Sequence, residues 1–169
     1  TKEELFKFQS EIIRRVADQD EPCIIIGRCG QYILRDHPNL VRVFIHADKD
    51  YCIEKLMQRY GIDKSEATAL RDKTDKNRAD YHKHYTGTEW TDVRNYDLSL
   101  DTSKLSQEEC IRIIENYIKS PERKSRLSGL FWVQSAAHRL GFFYLNHFFL
   151  LKSRISMSTT TAEKTATQP

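Results

Sequence analysis

The stretch "CIIIGRCGQYILRDHPNLVRVFIHA", residues 23–47, decides the fold. It opens with a short, continuous apolar run rich in β-branched residues, and "LVRVFIHA" closes it with another. Runs of this kind suit strands buried on both faces, as in a parallel sheet. Between them, "CGQYILRD" reads as a short helix and "HPN" as a turn. Gly27 and Arg28 follow the first strand directly. In open α/β sheets, ligands bind beyond the carboxyl ends of the strands. Glycine admits a close backbone approach there, and arginine offers a rigid fork for phosphate.

Upstream, Leu5, Phe8, Ile12, Ile13 and Val16 recur at helical spacing. "DQDEP" ends that helix. Downstream, a helix is expected from Asp48 to Tyr60, broken by Gly61. Asp63 followed by Glu66 forms a capping-box pattern that opens a second, very polar helix towards Tyr85. "TGTEWTDVRNY" reads as a loop, "DLSLD" as a third strand, and Ser106 with Glu109 opens a last helix through Ile118. The alternation argues for an α/β fold with parallel strands and flanking helices. Three strands make a small sheet, and a further strand before residue 1 would complete it.

Charge divides the chain. Residues 1–119 carry 20 Lys and Arg against 22 Asp and Glu, whereas residues 120–169 carry 7 against 2. The main body is therefore no general polyanion binder, and the basic excess belongs to the C-terminal part. Residues 1–119 are expected to form the core, with a helical lid at about 62–88. Residues 120–169 read as a basic linker, an apolar aromatic-rich helix and a polar end. The apolar stretch 129–151 approaches bilayer-spanning length. Gln134, His138, Arg139, Asn146 and His147 interrupt it, which favours a surface or packing helix over a membrane span.

The four cysteines, Cys23, Cys29, Cys52 and Cys110, lack CxxC spacing, and reduced thiols in a cytoplasmic protein are the expectation. His82 and His84 are spaced i, i+2, which does not suit a shared metal on a helix, and both read as bystanders. Trp90 and Tyr96 are expected to pack the loop onto the body. Arg71, Asp75 and Arg78 are spaced i, i+4, i+7 on one helix face. A carboxylate between two arginines can fix both guanidinium forks for phosphate oxygens. A solvated face with ordinary ion pairs is the plainer alternative. Basic residues interleaved with Tyr81 and Tyr85 could instead hold a single-stranded nucleic acid, although the acidic balance of residues 1–119 argues against it.

Together, a strand ending in Gly-Arg, a second strand, a helix, an R-x-x-x-D-x-x-R segment and a strand with "LD" before a helix resemble bacterial cytidylate kinase. The segments "GRCGQYILRDHPNLVRVFIHA", "KTDKNRADYHKHYTGTEW" and "NYDLSLDTSKLS" are more closely similar to the cytidylate kinase-like family. The resemblance covers roughly residues 1–119. It implies a P-loop nucleoside monophosphate kinase fold that transfers the ATP γ-phosphoryl group, with Mg2+, to an acceptor such as CMP or dCMP. It implies that Gly27 and Arg28 meet the acceptor phosphate, and that Arg71 and Arg78 clamp phosphates from a mobile lid. Asp75 would orient those arginines or bind the acceptor sugar or base, and Arg59 would be a further phosphate contact. A nucleotide is the implied partner, with no nucleic acid.

Two departures stand out. Cytidylate kinase has aspartate after Gly-Arg where this chain has Cys29, which puts cytosine recognition in question. None of the six glycines begins a G-x-x-x-x-G-K-[ST] loop. The family carries that loop near its N-terminus, so this chain is expected to be a truncated form, or a relative without ATP binding, inactive alone.

Overall fold

The computed structural model describes residues 1–19 and 23–120 in full, and residues 130–135 as backbone. The elements run α1 (Lys2–Ala17), β1 (Cys23–Ile26), α2 (Gly30–Ile33), β2 (Leu40–His46), α3 (Lys49–Tyr60), α4 (Lys64–Thr86), β3 (Leu98–Asp101), α5 (Gln107–Ile118) and β4 (Leu130–Ser135), with a short 3-10 turn at Val93–Asn95. The strands form one parallel sheet in the order β1-β4-β2-β3.

Alternation along β2 builds the two layers. Val41, Val43 and Ile45 pack with Leu100 of β3 against Cys110, Ile111, Ile114 and Ile118 of α5. Leu40 and Phe44 point the other way, into a cluster with Ile13 and Ala17 of α1, Ile33 and Leu34 of α2, and Tyr96. Helices thus cover both faces, as a parallel sheet requires. Tyr96 stacks on Phe44 at 4.8 Å and donates to the Trp90 carbonyl, while the Trp90 ring meets Phe44 edge-on at 6.1 Å. The expected anchoring of the loop by these two aromatics is what the fold contains.

Helices α3 and α4 pack on each other through Ile53, Leu56 and Ala67. The capping box at the start of α4 is formed: Glu66 N–H donates to Asp63 at 2.9 Å, and Asp63 N–H donates to Glu66 at 3.4 Å. Gly87 ends α4 in the left-handed region, its N–H bonded to the Lys83 carbonyl. Ser106 and Glu109 form a second box on α5. Asp48 does occupy the cap position of α3, but its side chain makes no capping bond; it accepts from Lys104 instead.

Two expectations are corrected. Among the described residues the sheet has four strands, where the sequence reading expects three. Residues 130–135, expected to belong to an apolar helix, are strand β4, seated between β1 and β2 and paired with both. A short apolar run carries no period that separates strand from buried helix. Here a parallel ladder on each side satisfies its backbone. The linker at 121–129 and the segment 136–169 lie outside the described residues. Among those described, no helix is long and apolar enough to cross a membrane.

Candidate active site

Three consecutive residues leave β1 with positive φ: Gly27 at 70°, Arg28 at 58° and Cys29 at 56°. The left-handed region suits Gly27, but Arg28 and Cys29 each carry the Cβ penalty of roughly 1–2 kcal/mol. The turn is closed by Gly30 N–H donating to the Gly27 carbonyl and by the Tyr32 and Ile33 N–H groups converging on the Cys29 carbonyl. Cys29 is buried, and desolvation pushes its thiol up to about 12. The turn therefore turns the thiol inward and presents Arg28 at the carboxyl end of the sheet.

Helix α4 lies across this turn. Thr74, Asn77, Arg78, Tyr81 and His82 of α4 line a cavity of about 430 Å3 with Gly27, Arg28 and Cys29. The first four are spaced i, i+3, i+4, i+7 and form one helix face. Arg28 stands beside the Tyr81 hydroxyl, which also donates to Gln9 of α1 at 3.4 Å. The Arg78 guanidinium lies 6.0 Å from the Trp90 ring centre. A second cavity of about 810 Å3 adjoins the first, sharing Arg28, Asn77 and Tyr81; Phe6 and Gln9 of α1 line its far side. Phe6 stacks on Tyr85 at 3.9 Å there.

The carboxylate expected between two arginines is in place. Arg71 lies 3.0 Å from Asp75 and Arg78 lies 3.8 Å from its other oxygen. Burial pushes the Asp75 carboxyl above its usual range, against the pull of Arg71 and Arg78. Arg71 also bonds Asp72 at 2.9 Å, and Asp72 takes Lys49 of α3 at 3.2 Å. The Nε of Arg71 and Oδ1 of Asp75 are buried with no hydrogen-bond partner among the described residues. Of the residues expected to meet a ligand, Arg28 and Arg78 are brought to one cavity with Gly27. Asp75 and Arg71 sit behind Arg78 on the same helix and do not line that cavity. Arg59, in the last turn of α3, lies over the Tyr60 ring at 5.6 Å and lines neither cavity.

The sequence does not single out Asn77 or Gln31, and it offers Tyr81 only as a base-stacking residue and His82 only as a bystander. The stripe from Thr74 to Tyr81 could have been found by extending the face of Arg78 one turn each way. His82, expected as a bystander, is 3% exposed. Burial pushes its imidazole below the usual range, opposed by its bond to the Thr88 carbonyl and by Glu89. Thr86, one turn on along α4, is buried with it and hydrogen-bonds to it, but its other side-chain partner, Gln31, comes from α2, which the spacing along α4 does not reveal.

A parallel α/β sheet carries an arginine-bearing turn at its carboxyl edge, crossed by a helix with Arg71 and Arg78, and two guanidinium forks facing one cavity have the chemistry to hold an oxyanion. The chain belongs to the cytidylate kinase-like family, whose model matches residues 1–104. It is 29% identical over 110 residues to a protein named cytidylate kinase from Methanopyrus kandleri, covering 60% of this chain and 57% of that one. It is also similar to the crystal structure of an uncharacterized protein from Eubacterium ventriosum, with a TM-score of 0.62 and 36% identity, over 65% of this chain and 62% of the other. The chain thus spans about three fifths of the length of each relative.

Proposed function

We propose that this domain is the acceptor and lid portion of a nucleoside monophosphate kinase, taking CMP, dCMP or a similar nucleotide. The observation that carries this reading is the single cavity lined by both Arg28 and Arg78, which reach it from different elements. The acceptor phosphate would lie between the two guanidinium groups, each offering a planar fork to its oxygens. The nucleoside would extend into the larger neighbouring cavity, past Asn77 and Tyr81. Asp75, paired with Arg71 and Arg78, keeps the second fork aimed while charge shifts during transfer.

Phosphoryl transfer is mostly positioning and electrostatics. This chain's residues supply the acceptor side. Its sequence contains no G-x-x-x-x-G-K-[ST] stretch, and among the described residues no cluster of three His, Cys, Asp or Glu side chains suits a metal ion. With no such loop to cradle the ATP phosphates, transfer would need a donor cradle beyond these residues.

The test is isothermal titration of the chain with CMP, dCMP, UMP and AMP. Saturable binding of at least one, lost in Arg28→Ala and Arg78→Ala, is the expected result. Absence of binding to all four would overturn the reading.

A further inference from the structure

We propose that His82 is a positioning residue of this site: through Gln31 it pins α4 to the turn that presents Arg28, so that Arg28 and Arg78 face one cavity. The inference rests on the acceptor-site reading above and extends it to a residue that does not itself have to touch the nucleotide.

The hydrogen bonds settle which ring nitrogen does what. The Thr88 carbonyl, 3.0 Å from Nδ1, can only accept, so Nδ1 carries the proton, and the Thr86 hydroxyl, 3.1 Å from the same nitrogen, donates instead to the His82 carbonyl at 2.8 Å. In the neutral ring Nε2 is then an acceptor, and the nitrogen in contact with it is the Gln31 side-chain amide, which donates. Both residues are buried, at 3% and 5% exposure. The amide oxygen of Gln31 has no partner among the described residues. His82 is thus the group that selects how this amide points.

Position gives the bond its consequence. Gln31 is the second residue of α2, the helix entered directly from the left-handed run Gly27–Cys29. His82 follows Tyr81 on α4, one turn beyond Arg78. One bond therefore joins the base of one arginine's turn to the helix carrying the other. An apolar side chain at 82 would fill the same volume but leave the Gln31 amide unpaired at both ends. The pin holds in the neutral form. A protonated ring would turn Nε2–H towards the amide nitrogen, and only a turned-over Gln31 could accept it. Among the described residues, Glu89 beyond the helix end is the charged group that acts on the ring, and Arg78 and Tyr81 on α4 with Arg28 and Cys29 on the turn share its cavity.

Two isosteric variants separate a positioning role from a structural one. Asparagine at 82 reproduces the Nδ1 position and keeps the Thr88 bond; glutamine reproduces the Nε2 position and keeps the Gln31 bond. The readouts are CMP affinity by calorimetry at pH 7.5 and the Gln31 side-chain amide signal by 1H–15N NMR. His82→Asn should weaken CMP binding roughly tenfold, the scale of one lost buried hydrogen bond, while His82→Gln stays within about twofold of wild type. In the wild type without nucleotide, the Gln31 amide signal should shift as His82 titrates, and in His82→Gln that shift should vanish. A Gln31 signal blind to pH in the wild type, or the two variants binding alike, would overturn the positioning role alone. A wild type that binds no nucleoside monophosphate would overturn it together with the acceptor-site reading.

Discussion

Arg42 and Asp97 lock β3 onto β2 from the residue just before the β3 ladder. Asp97 accepts from the Arg42 backbone N–H at 2.7 Å, from Nε at 3.2 Å and from Nη2 at 3.0 Å, and returns its own N–H to the Arg42 carbonyl at 2.7 Å. The carboxylate is largely shielded, with its side chain 13% exposed. Removing it would strand a half-buried guanidinium and a backbone donor. Asp97→Ala should cost about 2–3 kcal/mol, in the range of charge-assisted bonds, and lower the midpoint of urea unfolding. CMP affinity should hardly change, since neither residue lines the site. An unchanged unfolding midpoint would contradict this account.

Arg78 is expected to act through its shape as well as its charge. Lysine at 78 keeps the charge but loses the fork and the contact over Trp90. Arg78→Lys should therefore bind CMP nearly as poorly as Arg78→Ala, both weakened by about tenfold or more, the scale of a lost charge-assisted hydrogen bond. Asp75→Asn should weaken binding less, because it only loosens the orientation of Arg78. A lysine variant that matches wild type in calorimetry would mean that a point charge suffices.

His82 makes stability depend on pH. Burial is the largest influence and holds its folded pKa below the ordinary imidazole range. The unfolded chain then binds the proton more readily, so stability is full above the unfolded pKa. It falls as pH drops from there towards the folded pKa. Thermal unfolding between pH 7 and pH 5 should show a loss that His82→Gln reduces. Equal slopes in the two proteins would count against a buried neutral ring.

A proline within β4 should be far more damaging than a surface substitution. Val133 pairs with Ile26 on one side and Val43 on the other. Proline there removes a donor from a central strand, a change worth about 3 kcal/mol or more. Val133→Pro should abolish cooperative unfolding followed by circular dichroism. A cooperative transition at the wild-type midpoint would place β4 outside the stable core.

Much of the frame was legible because it is local. The capping boxes at Asp63–Glu66 and Ser106–Glu109 and the Arg71–Asp75 pair lie within four residues, so sequence spacing fixes them. The Gly-Arg turn could be placed because strand character changes at Gly27. What escaped notice depends on distant partners. His82 reads as one more polar residue on a charged helix until Gln31, from another element, closes over it. β4 reads as part of a longer apolar segment, since the slot it fills exists only once β1 and β2 have been brought side by side. Arg59 was placed by analogy of pattern, and its position over Tyr60 at the far end of α3 leaves it outside both cavities.

The seat of β4 also bears on how the chain folds. Among the described residues, β1 is hydrogen-bonded to the rest of the sheet only through β4. More than a hundred residues separate Ile26 from its partner Val133. Closing so long a loop is slow, and non-local parallel pairing comes late. During synthesis the Gly27–Cys29 turn would emerge early yet wait, with two strand edges unpaired, until β4 arrives. Unpaired edges invite pairing with other chains. Aggregation during refolding, more than loss of the folded state, is the vulnerability this topology builds in.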